Sequence, residues 1–327
     1  MPLSLTAVQF HAELAGPSLV LGVVEAGMYA LLAIALVLTF RVSRTVAFVH
    51  GGFAILGVVG YWLLTYPPSL AIPFSIEPYS LPGRRLELPG LVALLIVMVV
   101  GAVLGAGYGR LVTGRRLSHL SRAMLTTFSI GMMLLLAGVV TDVFYIQPDA
   151  IPRSPFGRSQ FWVLGWYLSL HRIVSLVIAV ALMLGLAFVL TRTRFGLDIQ
   201  AIADDVEASR VVGIPLTRMG SGVYVFSGAI AGLAGVLLAS SVGTAMPNIL
   251  FIFLRALIVA VLGGLTSLPL ALAGCLLLGV AETTLTAGVF GLVPTDQREL
   301  IVMGLIFGLV FVINRLRPIR VLEATGF

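Results

Sequence analysis

Glu25 and Glu282 stand inside long apolar runs of the 327-residue sequence, and Arg255 lies in another. Charge in such surroundings is expensive, so residues of this kind are candidates for ion or solute pathways by default. Two readings stand side by side for the carboxylates. Each either serves a pathway or forms a structural contact, near an interface or with an arginine, for which Arg255 is a candidate. His50, in the string Val49-His50-Gly51-Gly52, is open in the same way: a polar lining group or gate, or a structural histidine bonded to a nearby carbonyl. A second string, Gly263-Gly264-Leu265-Thr266-Ser267-Leu268-Pro269, interrupts the apolar tract that holds Arg255. Unwound backbone at membrane depth is tolerated only where protein or a water-filled cavity surrounds it. Both strings are therefore candidate pathway elements, though the second also reads as an ordinary turn and the first as a packed helix with two glycines.

No catalytic set emerges. His11, His50, His119 and His171 lie far apart, no HExxH string occurs, and no metal or cofactor site is expected. A phosphate-binding GxxxxGK[ST] loop is excluded because the chain has no lysine. The single cysteine, Cys275, sits in an apolar run, allows no disulfide within the chain, and reads as a small core residue.

Only helices spanning a bilayer can position such residues. The chain is 59% hydrophobic and 10% charged, with mean hydropathy +1.10, where a soluble domain carries about 25% charged residues. Apolar runs near the roughly 20 residues of a span predict an all-α polytopic membrane protein, a single domain over 1–327. Spans are expected near 18–40, 46–66, 91–112, 123–145, 171–191, 220–242, in the tract 249–290, and at 300–314: eight, or nine if 249–262 crosses fully. The first stretch lacks a preceding basic region and is expected to stay as a span. Gly101, Gly105 and Gly109 recur every four residues, and Gly228, Gly232 and Gly235 form a second small-residue face, as close helix packing in lipid requires.

The longest polar interlude, 194–219, lies between two of these runs. Ile199, Ile202, Ala203 and Val206 recur at helical spacing, with Asp204, Asp205 and Glu207 mostly off that stripe. Gly213 followed by Pro215 is a helix stop. The expectation is one short amphipathic helix at the membrane face, offering Asp204, Asp205, Glu207, Ala208, Gly213 and Ile214 to a soluble partner.

All 20 basic residues are arginine and give a net charge of +6. They cluster at the ends of apolar runs, where they set orientation, which argues against a nucleic-acid partner. Placing Arg41 and Arg44, the Arg110–Arg122 loop, the 192–218 segment and the C-terminal Arg315, Arg317 and Arg320 inside gives the larger cytoplasmic bias. Arg84, Arg85, Arg153, Arg158, Arg172 and Arg298 then lie outside. Proline-rich loops (67–90 and 148–155) face outward, and aromatics from Phe161 to Tyr167 read as an interfacial belt.

Four strings together resemble the LivH-like permease subunits of ABC importers for branched-chain amino acids. Tyr29-Ala30-Leu31-Leu32-Ala33-Ile34 is similar to the family's YALIAI, and Ala47-Phe48-Val49-His50-Gly51 to NFAHG. Glu207-Ala208-Ser209, then Gly213-Ile214 after three residues, resembles the EAA-xxx-G coupling signature. The string 260–269, followed by Leu278-Gly279-Val280-Ala281-Glu282, is close to AVLGGIGSIPG and its sequel. Ala47 stands for the usual Asn, Val49 for Ala and Leu270 for Gly.

The resemblance implies an internal inverted repeat and a bacterial inner-membrane location. It also implies a translocation pathway at Tyr29, His50, Gly51, Gly52, Gly263, Gly264 and Ser267. Two cytoplasmic ATPase subunits, a second homologous permease, an extracytoplasmic solute-binding protein and a small-molecule substrate are the implied partners. Permeases for urea and short amides share the scaffold, and a gradient-driven secondary carrier is the reading from a different class.

Overall fold

The computed structural model describes residues 12–65, 88–114, 117, 120–143, 152–157, 159–163, 166–242, 246–263, 265, 267–286, 304 and 308. Backbone polar groups in a hydrocarbon layer must be satisfied within their own segment, and the apolar runs wind into helices accordingly. In chain order these are α1 (Ala12–Ser43), α2 (Val49–Thr65), α3 (Gly90–Thr113), α4 (Arg122–Val143) and, after a small hairpin, α5 (Leu170–Arg192). Two short helices follow, α6 (Arg194–Asp204) and α7 (Val206–Val211). The apolar series then resumes with α8 (Leu216–Val242), α9 (Met246–Leu262) and α10 (Leu268–Thr286).

Among the described residues, six helices are long and apolar enough to cross a bilayer: α1, α3, α4, α5, α8 and α10. Two more are apolar but shorter, α2 and the 249–261 part of α9. The 17 residues of α2 reach about 25 Å at 1.5 Å per residue, just under a hydrocarbon core of about 30 Å. Apart from residues 304 and 308, the span expected at 300–314, with the arginines after it, lies outside the described residues, as do the loop 67–87 and residues 1–11.

Burial sorts the helices into two roles. Every residue from 26 to 38 of α1 and from 230 to 239 of α8 is buried, so these two helices are enclosed all round over those stretches. Around them, α3, α4 and α5 turn residues such as Leu95, Val99, Val103, Leu134, Leu135, Leu184 and Phe188 outward. Outward apolar faces are what lipid demands.

The two glycine faces meet each other. A Cβ at Gly101 would collide with the carbonyl oxygen of Gly228, and one at Gly105 with that of Tyr224, so α3 and α8 run backbone against backbone. At Gly57 and Gly235 the same closeness joins α2 to α8.

Three features depart from expectation. Residues 49–53 are not an interruption: α2 begins at Val49, and the break lies earlier, at 44–48, with Arg44 at φ 54°. Gly51 and Gly52 lie within this helix, and their neighbours occupy the space a side chain would need. A Cβ would come within 2.9 Å of Met133 Sδ at Gly51, and within 2.8 Å of Leu136 at Gly52. The aromatic loop is partly a strand pair, β1 (Gln160–Val163) antiparallel to β2 (Trp166–Ser169), the one sheet among the described residues. Its cross-strand pair Trp162 and Tyr167 pack edge to face at 4.7 Å, both exposed. Finally, the polar segment folds as two helices rather than one, parting at Asp205.

Candidate functional site

The intramembrane charges converge. The Arg255 Nη1 donor lies 2.8 Å from Glu282 Oε1, joining α9 to α10. Tyr29, from α1, donates its hydroxyl to Glu282 Oε2 at 2.8 Å, and Arg255 Nη1 lies 3.4 Å from that hydroxyl oxygen. Both Glu282 oxygens are thereby engaged, as burial of a carboxylate requires. The triad forms one wall of a cavity of about 250 Å³ that Glu25 and Arg172 also line, together with Ser241. Met28, Leu238 and Ile252 supply its apolar side.

Helix direction fixes where this cavity sits. Arg172 begins α5 and Ser241 ends α8, whereas α6 and α7 bridge the opposite ends of those two helices. From Arg172 to Arg192 the chain advances about 30 Å as helix. Cavity and polar segment therefore occupy opposite ends of the bundle.

The two chain breaks are held by polar contacts. At 44–48, Ser129 of α4 accepts from the Phe48 N–H at 3.1 Å and donates to the Val46 carbonyl at 3.1 Å. His50 is fully buried, with Nδ1 2.8 Å from the Ala47 carbonyl and Nε2 2.9 Å from Ser227 Oγ of α8. Its ring also stacks on Tyr224. The carbonyl contact makes Nδ1 the donor, leaving Nε2 to accept from Ser227. At 263–267, Leu265 has φ 56° and its N–H reaches the Ala260 carbonyl at 2.8 Å, while Ser267 N–H reaches that of Gly263 at 3.3 Å. A Cβ on Gly263 would press within 2.8 Å of the Ala271 nitrogen. Gly264 lies outside the described residues. Tyr29 thus belongs with the charged cavity, whereas His50, Gly51 and Gly52 form a packed joint of their own.

The polar segment is organised by its caps. Thr193 caps α6, accepting from Gly196 N–H at 3.1 Å. Ile199 and Ile202 are buried and anchor this helix. Asp205 then accepts from the N–H groups of Glu207 and Ala208 at 2.8 and 3.0 Å, starting α7 in a new direction. Gly213, at φ 88°, and Ile214 return their N–H groups to the carbonyls of Arg210 and Ser209, both at 3.0 Å. That pair of bonds is the Schellman termination, and Pro215 then bars any continuation. Asp204, Asp205, Glu207, Ala208 and Gly213 are exposed, and Val211 and Val212 are 88% and 80% exposed at the tip.

Arg172 and Ser241 were not singled out as site residues from sequence. An arginine at the very start of an apolar run reads as an interfacial anchor, and nothing local distinguishes one that turns into a cavity. Among the described residues no group of acidic, histidine or cysteine side chains is arranged to hold a metal.

An enclosed helical bundle with buried breaks, an internal charged cavity and a capped polar tip defines a multi-pass transport permease. The match to known proteins narrows the class. Residues 18–313 fit the family described as branched-chain amino acid transport system / permease component, and the chain belongs to that family. It is 30% identical over 310 residues to the high-affinity branched-chain amino acid transport system permease protein BraD of Pseudomonas aeruginosa, covering 93% of this chain and 94% of that protein. It is 27% identical over 274 residues to LivH of Escherichia coli K12, a permease of the same description, covering 81% and 84%. No solved structure matches the chain.

Proposed function

We propose that the chain, as one permease domain over 1–327, is the transmembrane subunit of an ATP-binding-cassette importer for branched-chain or other small amino acids in the bacterial inner membrane. The exposed, doubly capped tip at 204–214 carries this reading. A rigid polar knob on an otherwise apolar bundle, with two valines at its apex, is suited to seat in a groove of a soluble ATPase. Family membership supports the importer class, and the names of the relatives support the choice of solute.

Two ATPase subunits dock from the cytoplasm, a second homologous permease completes the membrane unit, and an extracytoplasmic binding protein delivers solute. ATP is hydrolysed by the partners, and this chain carries the motion. Closure of the ATPases pushes α6 and α7, and the push reaches the bundle through the buried Ile199 and Ile202. The breaks at 44–48 and 263–267 then act as hinges beside a path that involves Tyr29, His50, Gly51, Gly52, Gly263, Gly264 and Ser267. The arginine bias supports an orientation with the tip and the C-terminus inside and the charged cavity toward the outside.

The test is uptake of labelled L-leucine by proteoliposomes holding the assembled transporter. ATP-dependent accumulation that vanishes without the ATPases is the expected result. Uptake by this chain alone under an ion gradient would instead make it a secondary carrier. Uptake of urea or short amides in preference to leucine would move the substrate assignment to that class.

A further inference from the structure

We propose that the cavity between α1, α5, α8, α9 and α10 is a binding site for a zwitterion, with Arg172 taking its carboxylate and Glu25 its ammonium group. The proposal rests on the transport reading for the identity of the solute but not for the chemistry of the site. Glu25 and Arg172 line the same cavity of about 250 Å³. Among the described residues, their side chains form no hydrogen bond or ion pair with each other. Two opposite charges held on one cavity without closing together are complementary to a molecule that carries both.

The neighbouring charges explain why these two remain available. Arg255 and Glu282 are matched to each other at 2.8 Å, and Tyr29 is committed to Glu282, so that triad is a fixed wall. Arg172 and Arg255 are the cations whose field reaches Glu25. Because the described lining holds two carboxylates and two guanidiniums, a ligand of zero net charge leaves it balanced, whereas a free anion or cation does not.

Size and polarity narrow the ligand further. About 250 Å³ is below the roughly 300–1,000 Å³ of sites for drug-sized molecules, so the occupant is small. Met28, Leu238 and Ile252 present hydrocarbon beside the charges, which suits an aliphatic side chain on an α-amino acid. Placement at the end of the bundle away from α6 and α7 makes this the first polar station for a solute handed over from outside.

The experiment is saturation-transfer NMR on the full chain in nanodiscs with three probes: L-leucine, L-leucinamide, which lacks the carboxylate, and 4-methylpentanoate, which lacks the amine. Wild type is expected to bind leucine at least about tenfold more tightly than either analogue, the scale of one lost charge-assisted contact. R172Q should erase the preference over leucinamide, and E25Q the preference over 4-methylpentanoate. This crosswise pattern does not follow from general loss of fold, and R172M and E25A, which also remove the charge, carry the same reading where the amide variants do not purify as a single species.

Absence of leucine binding to wild type at tens of millimolar, or variants that lose all three probes equally, would overturn the site. ATP-driven leucine uptake with no such binding would leave the transport reading standing and the site rejected. Binding with the crosswise pattern but no uptake by the assembled transporter would do the reverse.

Discussion

Arg255–Glu282 and Glu207–Arg210 are ion pairs of nearly equal length, 2.8 and 2.9 Å, in opposite surroundings. The first side chains are 7% and 11% exposed and lie among membrane helices; the second are 57% and 80% exposed on α7, with Arg210 given first. Equal geometry therefore does not mean equal energy. In the bundle, each charge has lost water and depends on its partner, so the pair holds α9 to α10 and fixes the cavity wall. On α7, water and salt screen both charges, and the pair adds little to folding. What it does add is a defined polar surface. One pair braces the wall of a cavity, and the other lies on the surface proposed to meet the ATPase.

The sharpest way to break this contrast is Arg255→Met. Leaving Glu282 uncompensated should destabilise the detergent-purified chain by about 3–5 kcal/mol, read as a large fall in melting temperature or loss of folded protein. Combining Arg255→Met with Glu282→Leu should recover most of the loss, because no stranded charge remains. A double variant no better than the single would mean that the pair's role is not mutual neutralisation.

Next in size is Gly213→Val. A β-branched residue at φ 88° carries at least about 1–2 kcal/mol of backbone strain. That strain sits in an exposed turn with nothing within 4 Å of a Cβ, so the turn yields locally. Copurification of the ATPases and leucine uptake should fall several-fold while the melting temperature of the bundle stays near wild type. Asp205→Ala should remove about 1 kcal/mol of capping from α7, with a smaller loss of ATPase association. Smallest is Arg210→Ala, which should change stability by no more than about 0.5 kcal/mol. A large melting shift there would erase the distinction between the two pairs.

Much of this was legible in sequence wherever the cause was local. Gly213 and Pro215 mark the end of α7 because turn geometry depends on the residues in the turn. The glycine spacing of α3 and α8 showed close packing, since only small residues permit it, although which faces meet is a tertiary fact. The parting of α6 from α7 at Asp205 was masked by the apolar stripe that runs through both helices. The same stripe fits one helix or two, and only the cap bonds decide. Gly51 and Gly52 suggest unwinding, yet they lie inside α2 with side chains from α4 and α9 packed against them, and the break falls at 44–48, where Ser129 of α4 holds the non-helical backbone. Arg255 and Glu282 were each conspicuous, while their pairing, and the turn of Arg172 into the same cavity, join residues too far apart in the chain for pattern to reveal.

The central claim is that force enters at 204–214 from the cytoplasm, at the end of the molecule opposite the charged cavity. The most direct measurement places a single cysteine at Val212 in intact cells, with co-expressed ATPases. Native Cys275 is fully buried and does not compete for label. A membrane-impermeant maleimide added outside should leave Val212→Cys unlabelled, and a short bifunctional cross-linker should join it to an ATPase subunit. Labelling from outside, or no cross-link to an ATPase that copurifies with the permease, would contradict the account.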